Sequence, residues 1–192
     1  MIIGVTGGIG AGKSVIVSFF KSWGANVIDV DKLGWTVLDE KKNEVVKAFG
    51  RRMLVKSKID RKELGKIVFD SAQNKRLLDS IIHPQLLKRL KVEIEQAQSS
   101  DPRPLVVDCA LIYEWKIESW FNKIILVKAD YDKKLARLVK MGYELEEARA
   151  RIEAQLPDDK KKADFVIENN ENLQALEVWA HEIWKCIVSN SG

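Results

Sequence analysis

Met1-Ile2-Ile3-Gly4-Val5-Thr6-Gly7-Gly8-Ile9-Gly10-Ala11-Gly12-Lys13-Ser14 decides how the rest of the chain is read. A short apolar run, Ile2 to Thr6, meets a glycine-rich stretch, and Lys13 opens a segment of helical periodicity that reaches Trp23. Residues 7–14 fit G-x-x-x-x-G-K-[ST] in its proper setting, directly after a strand and directly before a helix. Such a loop lets the N–H groups of Gly8, Ile9, Gly10, Ala11, Gly12, Lys13, Ser14 and Val15 converge on phosphate oxygens at the positive end of the helix. Lys13 reaches the terminal phosphates and Ser14 offers an oxygen to Mg²⁺. The ligand class is therefore a nucleoside triphosphate with Mg²⁺. Whether the phosphate passes to water or to another molecule stays open at this level.

Working outward, Gly24 follows the helix as a natural C′ residue, and Asn26 to Val30 reads as a second strand, giving a β-α-β unit. Leu105 to Asp108, Ile124 to Ala129 and Phe165 to Glu168 complete a set of short apolar runs. Continuous runs, as opposed to alternating ones, are what strands covered on both faces of a parallel sheet produce. The fold class is α/β. Between Lys32 and Ser99 no strand stands out, and helical segments such as Asn43 to Phe49 and Arg61 to Phe69 read as an inserted helical region. His83-Pro84 is expected to break or kink a helix, and Ser99 to Pro104, dense in turn residues, to return the chain to the sheet. Leu173, Leu176, Ala180, Ile183, Trp184 and Ile187 recur at helical spacing and mark one apolar face near the carboxyl end.

If strands one and two run parallel, the carboxyl end of the second opens on the same edge as the phosphate loop, where ligands of such sheets bind. Asp31, with Asp29 as the alternative, then brings a carboxylate near the terminal phosphate, able to take a proton from an attacking hydroxyl or to hold a metal-bound water. Asp108 ends an apolar strand and is a candidate for positioning Mg²⁺ or substrate. In Leu135 to Lys140, the leucines and Val139 supply a buried face and Arg137 projects elsewhere, a candidate phosphate clamp ahead of Arg149, Arg151 and Lys160 to Lys162. Asp31-Lys32-Leu33-Gly34 is also a D-x-x-G string, but it follows Lys13 too closely for a GTPase switch, and Asn122-Lys123-Ile124-Ile125 fails as a guanine signature. His83 and His181 lack metal-binding neighbours in sequence and default to structural roles.

The chain of 192 residues is 46% hydrophobic and 31% charged, which excludes general disorder, and no run is long and apolar enough for a membrane span. A net charge of +4 with intermixed signs gives no footprint for nucleic acid. Cys109 and Cys186 lie in apolar settings and are expected as buried thiols outside any disulfide. With a strand pattern from the first residues, these features suggest a cytoplasmic protein, without membrane or nucleic-acid partners, as a monomer or weak homo-oligomer.

Taken together, Val5 to Ser14 and Val27-Ile28-Asp29-Val30-Asp31 resemble the T-G-G-I-G-[SA]-G-K-S loop and I-D-x-D strand of the dephospho-coenzyme A kinases. Ile59-Asp60-Arg61 through Leu64, Val68-Phe69 and Ile82-His83-Pro84 resemble that family's inserted region. Asp108 through Glu114 is similar to its D-x-P-L-L-[FY]-E segment, and Ala163 to Asn169 to its A-D-x-V-I-x-N ending. The resemblance implies a three-layer phosphate-loop kinase fold: a five-stranded parallel sheet in a core of residues 1–31 and 100–192, a lid at about 137–160, and a helical substrate domain at 32–99. It implies transfer of the ATP γ-phosphoryl group to the 3′-hydroxyl of dephospho-coenzyme A, with Mg²⁺ held through Ser14 and Asp31. Asp31 is implied as the general base, and Thr6, Lys13 and Arg137 as catalytic groups near the phosphates. Asp108, Arg61 and His83 become candidates for substrate binding. Three positions depart from the pattern: Ala110 for a proline, Met141 for a second lid arginine, and Glu171 for a glycine. Lys140 or Arg151 is the expected replacement for the missing lid charge. Another small-molecule kinase on the same scaffold, or a nucleotide switch acting on a protein partner, is the rival reading.

Overall fold

A computed structural model describes residues 1–56, 58–69 and 71–189, with backbone alone at Phe69. It divides into two compact units, residues 1–29 with 97–192, and residues 30–96. The boundaries expected from sequence lay two to three residues further along, at 31 and 99.

The larger unit is built on a parallel sheet of β1 (Ile2–Thr6), β2 (Asn26–Asp29), β5 (Leu105–Asp108), β6 (Lys123–Lys128) and β7 (Phe165–Glu168), in the spatial order β2-β5-β1-β6-β7. β1 is central and buried at every residue. Because side chains alternate across a strand, Ile3 and Val5 face one way and Gly4 the other. The Ile3 face is covered by α1 (Lys13–Ser22), which contributes Ile16, Val17 and Phe20, and by α8 (Leu173–Ser189), which contributes Leu176, Ala180, Trp184 and Ile187. Phe20 stacks on Trp184 with centroids 5.1 Å apart and is fully buried, so truncating it to alanine removes roughly 3–5 kcal/mol. On the opposite face Gly4 leaves room for Ile112 and Phe121; a Cβ there would meet Ile112 at 2.7 Å.

Three expectations about this unit are corrected. Leu173 is exposed, because it opens α8 ahead of the buried stripe, and Leu135 and Val139 lie half-buried and exposed while Leu138 alone of the three is buried. Cys109 is buried but Cys186 is exposed, lying one position off the apolar face marked by Ile187. The ring of His181 lies 4.9 Å from that of Trp23.

The smaller unit contains α2 (Val30–Glu40), α3 (Lys42–Phe49), α4 (Arg61–Phe69) and most of α5 (Ala72–Ser100). It also holds β3 (Leu54–Val55) and β4 (Lys58–Ile59), an antiparallel pair of two residues each, where the sequence suggested no strand. Strands this short leave no periodic signature. Asp60 caps α4, its Oδ1 accepting the N–H groups of Lys62 and Glu63 at 2.9 and 3.1 Å. Pro84 does not break α5, which runs through it and on to Ser100. The buried stripe Ile82, Leu86, Leu90 and Ile94 repeats every four residues, and its packing outweighs the roughly 3 kcal/mol that an interior proline costs. The turn-rich stretch at Ser99 therefore begins later than expected, after Ser100. Among the described residues no helix is long and apolar enough to cross a membrane.

Candidate active site

β1 ends at Thr6, fully buried, whose hydroxyl donates to the Ala110 carbonyl at 3.1 Å. The chain then turns through residues 7–12 into α1. Gly12 stands before the helix at φ +98°, in the left-handed region that favours glycine. Ala11 is fully buried, and its N–H donates to the Gly8 carbonyl at 3.1 Å, closing the loop on itself. Lys13 folds back along the loop, Nζ donating to the Gly7 carbonyl at 2.9 Å, while Ser14 is exposed at the second position of α1 and Val15 packs partly into the core.

The loop is braced from below. α6 (Tyr131–Lys140) carries Arg137, whose guanidinium donates to the carbonyls of Gly10 at 3.0 Å, Ala11 at 3.3 Å and Asn169 at 2.8 Å, and to Asn169 Oδ1 at 3.1 Å. Asn169, buried just past β7, donates from Nδ2 to the Ala11 carbonyl at 2.8 Å. Asp164 anchors the other end of β7, its Oδ2 accepting the Ile124 N–H at 2.8 Å. Thus Asp164 and Asn169 fix β7 against β6 and tie the loop to β7.

The segment 141–161 lies against the same loop. It comprises α7 (Leu145–Glu153) and a single 3₁₀ turn at Asp158–Lys160. Gln155 Oε1 accepts the Ile9 N–H at 2.7 Å. Asp158 receives two ammonium groups, Lys134 on Oδ2 at 3.2 Å and Lys161 on Oδ1 at 3.1 Å. Burial pushes the Asp158 carboxyl up, but Lys134 and Lys161 outweigh it and hold the group below the usual carboxylate range. Arg151 is bonded to Glu147 Oε1 from Nε at 3.0 Å and Nη2 at 2.8 Å, with its guanidinium 4.8 Å from the centroid of Tyr143. Lys140 and Met141 are exposed. The Tyr113 hydroxyl donates to the Lys162 carbonyl, and burial, with Glu118 and Asp164 nearby, pushes it up to about 12, so it stays protonated at any physiological pH.

At the carboxyl edge of the sheet, Asp29, Asp108 and Val5 occupy one row of β2, β5 and β1. All three strands run parallel, so this row and the phosphate loop share an edge. Strand β2 stops at Asp29, one residue earlier than expected, and Asp31 belongs to the first turn of α2, where it is exposed. Among the described residues no three His, Cys, Asp or Glu side chains are grouped to hold a metal ion. Ser14, Asp29 and Asp108 offer oxygen donors of the hard kind that Mg²⁺ takes alongside waters and phosphates.

The remaining candidates lie in the smaller unit. Arg61 opens α4, its guanidinium 4.3 Å from the centroid of Trp35. His83 is half-buried on α5, with Nε2 3.3 Å from Asp79 Oδ1; burial pushes its pKa down, Lys75 adds to this and Asp79 opposes it.

Sequence reasoning gave no part to Gln155, Lys134 or Asp158 and no contact to Asn169. Lys134 was within reach, because it stands three residues before Arg137 and residues so spaced share a helix face. Gln155 and Asp158 lie between helices, where no periodicity points to a partner.

A family model described as dephospho-CoA kinase matches residues 1–175. The chain belongs to the dephospho-CoA kinase family. The enzyme of that name from Arabidopsis thaliana is 38% identical over 182 residues, covering 91% of this chain and 78% of its own. The structure of the dephospho-CoA kinase of Campylobacter jejuni is similar at a TM-score of 0.67, with 28% identity over 97% of this chain and 96% of that one. Shikimate kinase from Acinetobacter baumannii, at 15% identity over 99% of this chain and 94% of that one, shares the fold with a TM-score of 0.52. The parallel sheet with its phosphate loop is thus the kinase scaffold, and membership of this family makes the chain a phosphotransferase that uses ATP and acts as a dephospho-CoA kinase, the final step of coenzyme A synthesis.

Proposed function

We propose that the phosphate loop and the carboxyl edge of the sheet divide this reaction between them. The loop amides and Lys13 hold the ATP phosphates, and Asp31 orients and deprotonates the 3′-hydroxyl of dephospho-coenzyme A. The observation that carries this reading is the shared edge: β2 is parallel to β1 and ends two residues before Asp31. Two residues span at most about 7 Å, which supports a role for Asp31 at that edge. Phosphoryl transfer asks little covalent chemistry of a protein and much placement of charge. Ser14 and Asp31 would hold Mg²⁺, which would supply neutralisation of phosphate charge. Arg137 keeps the loop carbonyls turned away from the nucleotide, which aims the amides towards it. Thr6 holds the strand end to the Ala110 carbonyl, and Asp108 offers a carboxylate beside the reacting groups.

Residues 30–96 form the acceptor-binding unit in this proposal, with Arg61 suited to a pyrophosphate and His83 serving to position its helix. The segment 137–160 acts as the lid that excludes water from the transfer. A cytoplasmic location fits two cysteines held as thiols, and a monomer or weak homo-oligomer is the proposed assembly.

Incubation with Mg·ATP and dephospho-coenzyme A, AMP or shikimate in separate reactions, followed by mass spectrometry, tests the assignment. A product heavier by one phosphoryl group is expected with dephospho-coenzyme A alone. Phosphorylation of AMP or shikimate instead, or ATP hydrolysis indifferent to acceptor, overturns it.

A further inference from the structure

Met141 leaves the lid one cation short of the family's usual pattern, and the two residues expected to compensate are poorly suited to it. Arg151 is engaged by Glu147 and Tyr143, and Lys140 is exposed in the last turn of α6. Lys134 stands differently. A Cβ built on Gly8 would lie 3.5 Å from its Nζ and 3.0 Å from Gln155 Oε1, so its ammonium borders the phosphate loop. Its backbone is fixed there too, since a Cβ on Gly10 would approach the Lys134 carbonyl oxygen to 2.9 Å.

The charges at this point do not balance. Asp158 serves two ammonium groups with one carboxylate, in a setting where the side chain of Lys134 is 14% exposed and that of Lys161 1%. Lys161 alone satisfies Asp158, which leaves one positive charge to spare beside a loop built for an anion. When Lys134 leaves, Asp158 retains a partner, so its departure strands no buried carboxylate.

We propose that Lys134 is the phosphate-binding cation of the lid face, its ammonium passing from Asp158 to an oxygen of the terminal phosphates when nucleotide fills the loop. The proposal rests on the reading of residues 7–14 as the ATP site. A lysine is suited to such a move, as a compact charge on a flexible stem. No bond is made or broken; one ion pair is exchanged for another.

The test compares wild type, Lys134→Gln, Lys134→Arg and Asp158→Asn, as full-length proteins, for equilibrium binding of ATP and of ADP and for turnover on Mg·ATP with dephospho-coenzyme A. Lys134→Gln is expected to weaken ATP about tenfold and ADP less than about threefold, and to lower kcat on the order of 10- to 100-fold. Lys134→Arg is expected to restore most of both. Asp158→Asn is expected to tighten ATP a few-fold, because Lys134 no longer leaves a carboxylate to reach the phosphates. A purely structural pair gives the opposite pattern: equal losses for ATP and ADP, and losses of the same sign in Lys134→Gln and Asp158→Asn. That pattern, or Lys134→Gln within twofold of wild type in ATP affinity and kcat, overturns the proposal. If Lys134→Gln does not fold, weaker ATP binding by Asp158→Asn is the overturning result. A wild-type protein that neither binds ATP nor phosphorylates dephospho-coenzyme A defeats the reading of the site itself; a competent wild type matched by its variants defeats only the role of Lys134.

Discussion

Replacing Gly12 by alanine tests whether the phosphate loop is held by its neighbours or only by its own glycines. At φ +98° an L-residue pays roughly 1–2 kcal/mol for the left-handed conformation alone. The added Cβ would also fall 2.1 Å from Asn169 Nδ2. An exposed amide would swing aside at little cost, but Asn169 is buried and bonded to the Ala11 carbonyl at 2.8 Å and to Arg137 through Oδ1 at 3.1 Å. Displacing it leaves buried polar groups poorly satisfied, about 1–3 kcal/mol more. Gly12→Ala should therefore cost about 2–5 kcal/mol, against about 1–2 for Gly24→Ala, which has the same hand of φ, +100°, and nothing within 4 Å of its Cβ. Urea unfolding followed by circular dichroism reads the difference. In an Asn169→Ala background the cost of Gly12→Ala should fall towards that of Gly24→Ala, since the obstruction is gone. Equal costs for the two glycines in the wild-type background, within about 0.5 kcal/mol, would refute the claim that Asn169 and Arg137 brace the loop.

Three further expectations follow from the same geometry. Asp31→Asn should retain ATP binding and lose turnover on the order of 10²- to 10⁴-fold, the span of a general base, and near-normal initial rates would remove Asp31 from that role. Arg137→Lys cannot reproduce a planar fork spread over Gly10, Ala11 and Asn169; it should raise the KM for ATP and lower stability by about 1–3 kcal/mol, and unchanged steady-state kinetics with an unchanged urea midpoint would contradict this. The Asp158 carboxyl is held below its unfolded value, so its contribution to stability is present above about pH 4 and is lost as the pH falls through the depressed folded value. Asp158→Asn should therefore show a shallower loss of stability on acidification than wild type, and parallel curves would argue against the two lysine pairs.

The parts of the molecule legible in the sequence are those where local pattern and global role coincide. Residues 7–14 carry their own context of strand, glycines and helix, and the apolar runs of β1, β5 and β6 read as parallel strands because nearly all of their residues are buried, whereas the edge strands β2 and β7 are only partly covered. Signals failed where a packed neighbour overrides a local preference. Pro84 stays inside α5 because a buried stripe holds the helix on both sides of it. The two-residue strands β3 and β4 are too short for alternation to register. Leu173 obeys the helical spacing yet is exposed, since periodicity assigns a face but not where the covering surface stops. In the site, the loop and its approach are read from adjacent residues, whereas Gln155, Lys134 and Asn169 join it from positions 124 to 158 residues away, a distance over which a single sequence gives no pairing information.

The bracing of the loop also sets an order of events during synthesis. Ala11 accepts hydrogen bonds from Arg137 and Asn169, residues 126 and 158 positions later in the chain, and Gly10 accepts one from Arg137. Contacts so remote form only after the intervening chain exists, and they are slow to close. A nascent polypeptide that has just left the ribosome carries the whole of the glycine-rich signature but neither of the side chains that hold its carbonyls in place. The grip on the loop is therefore complete only once β7 and Asn169 have emerged, and a fragment released before that point is a reader of the motif's letters without it.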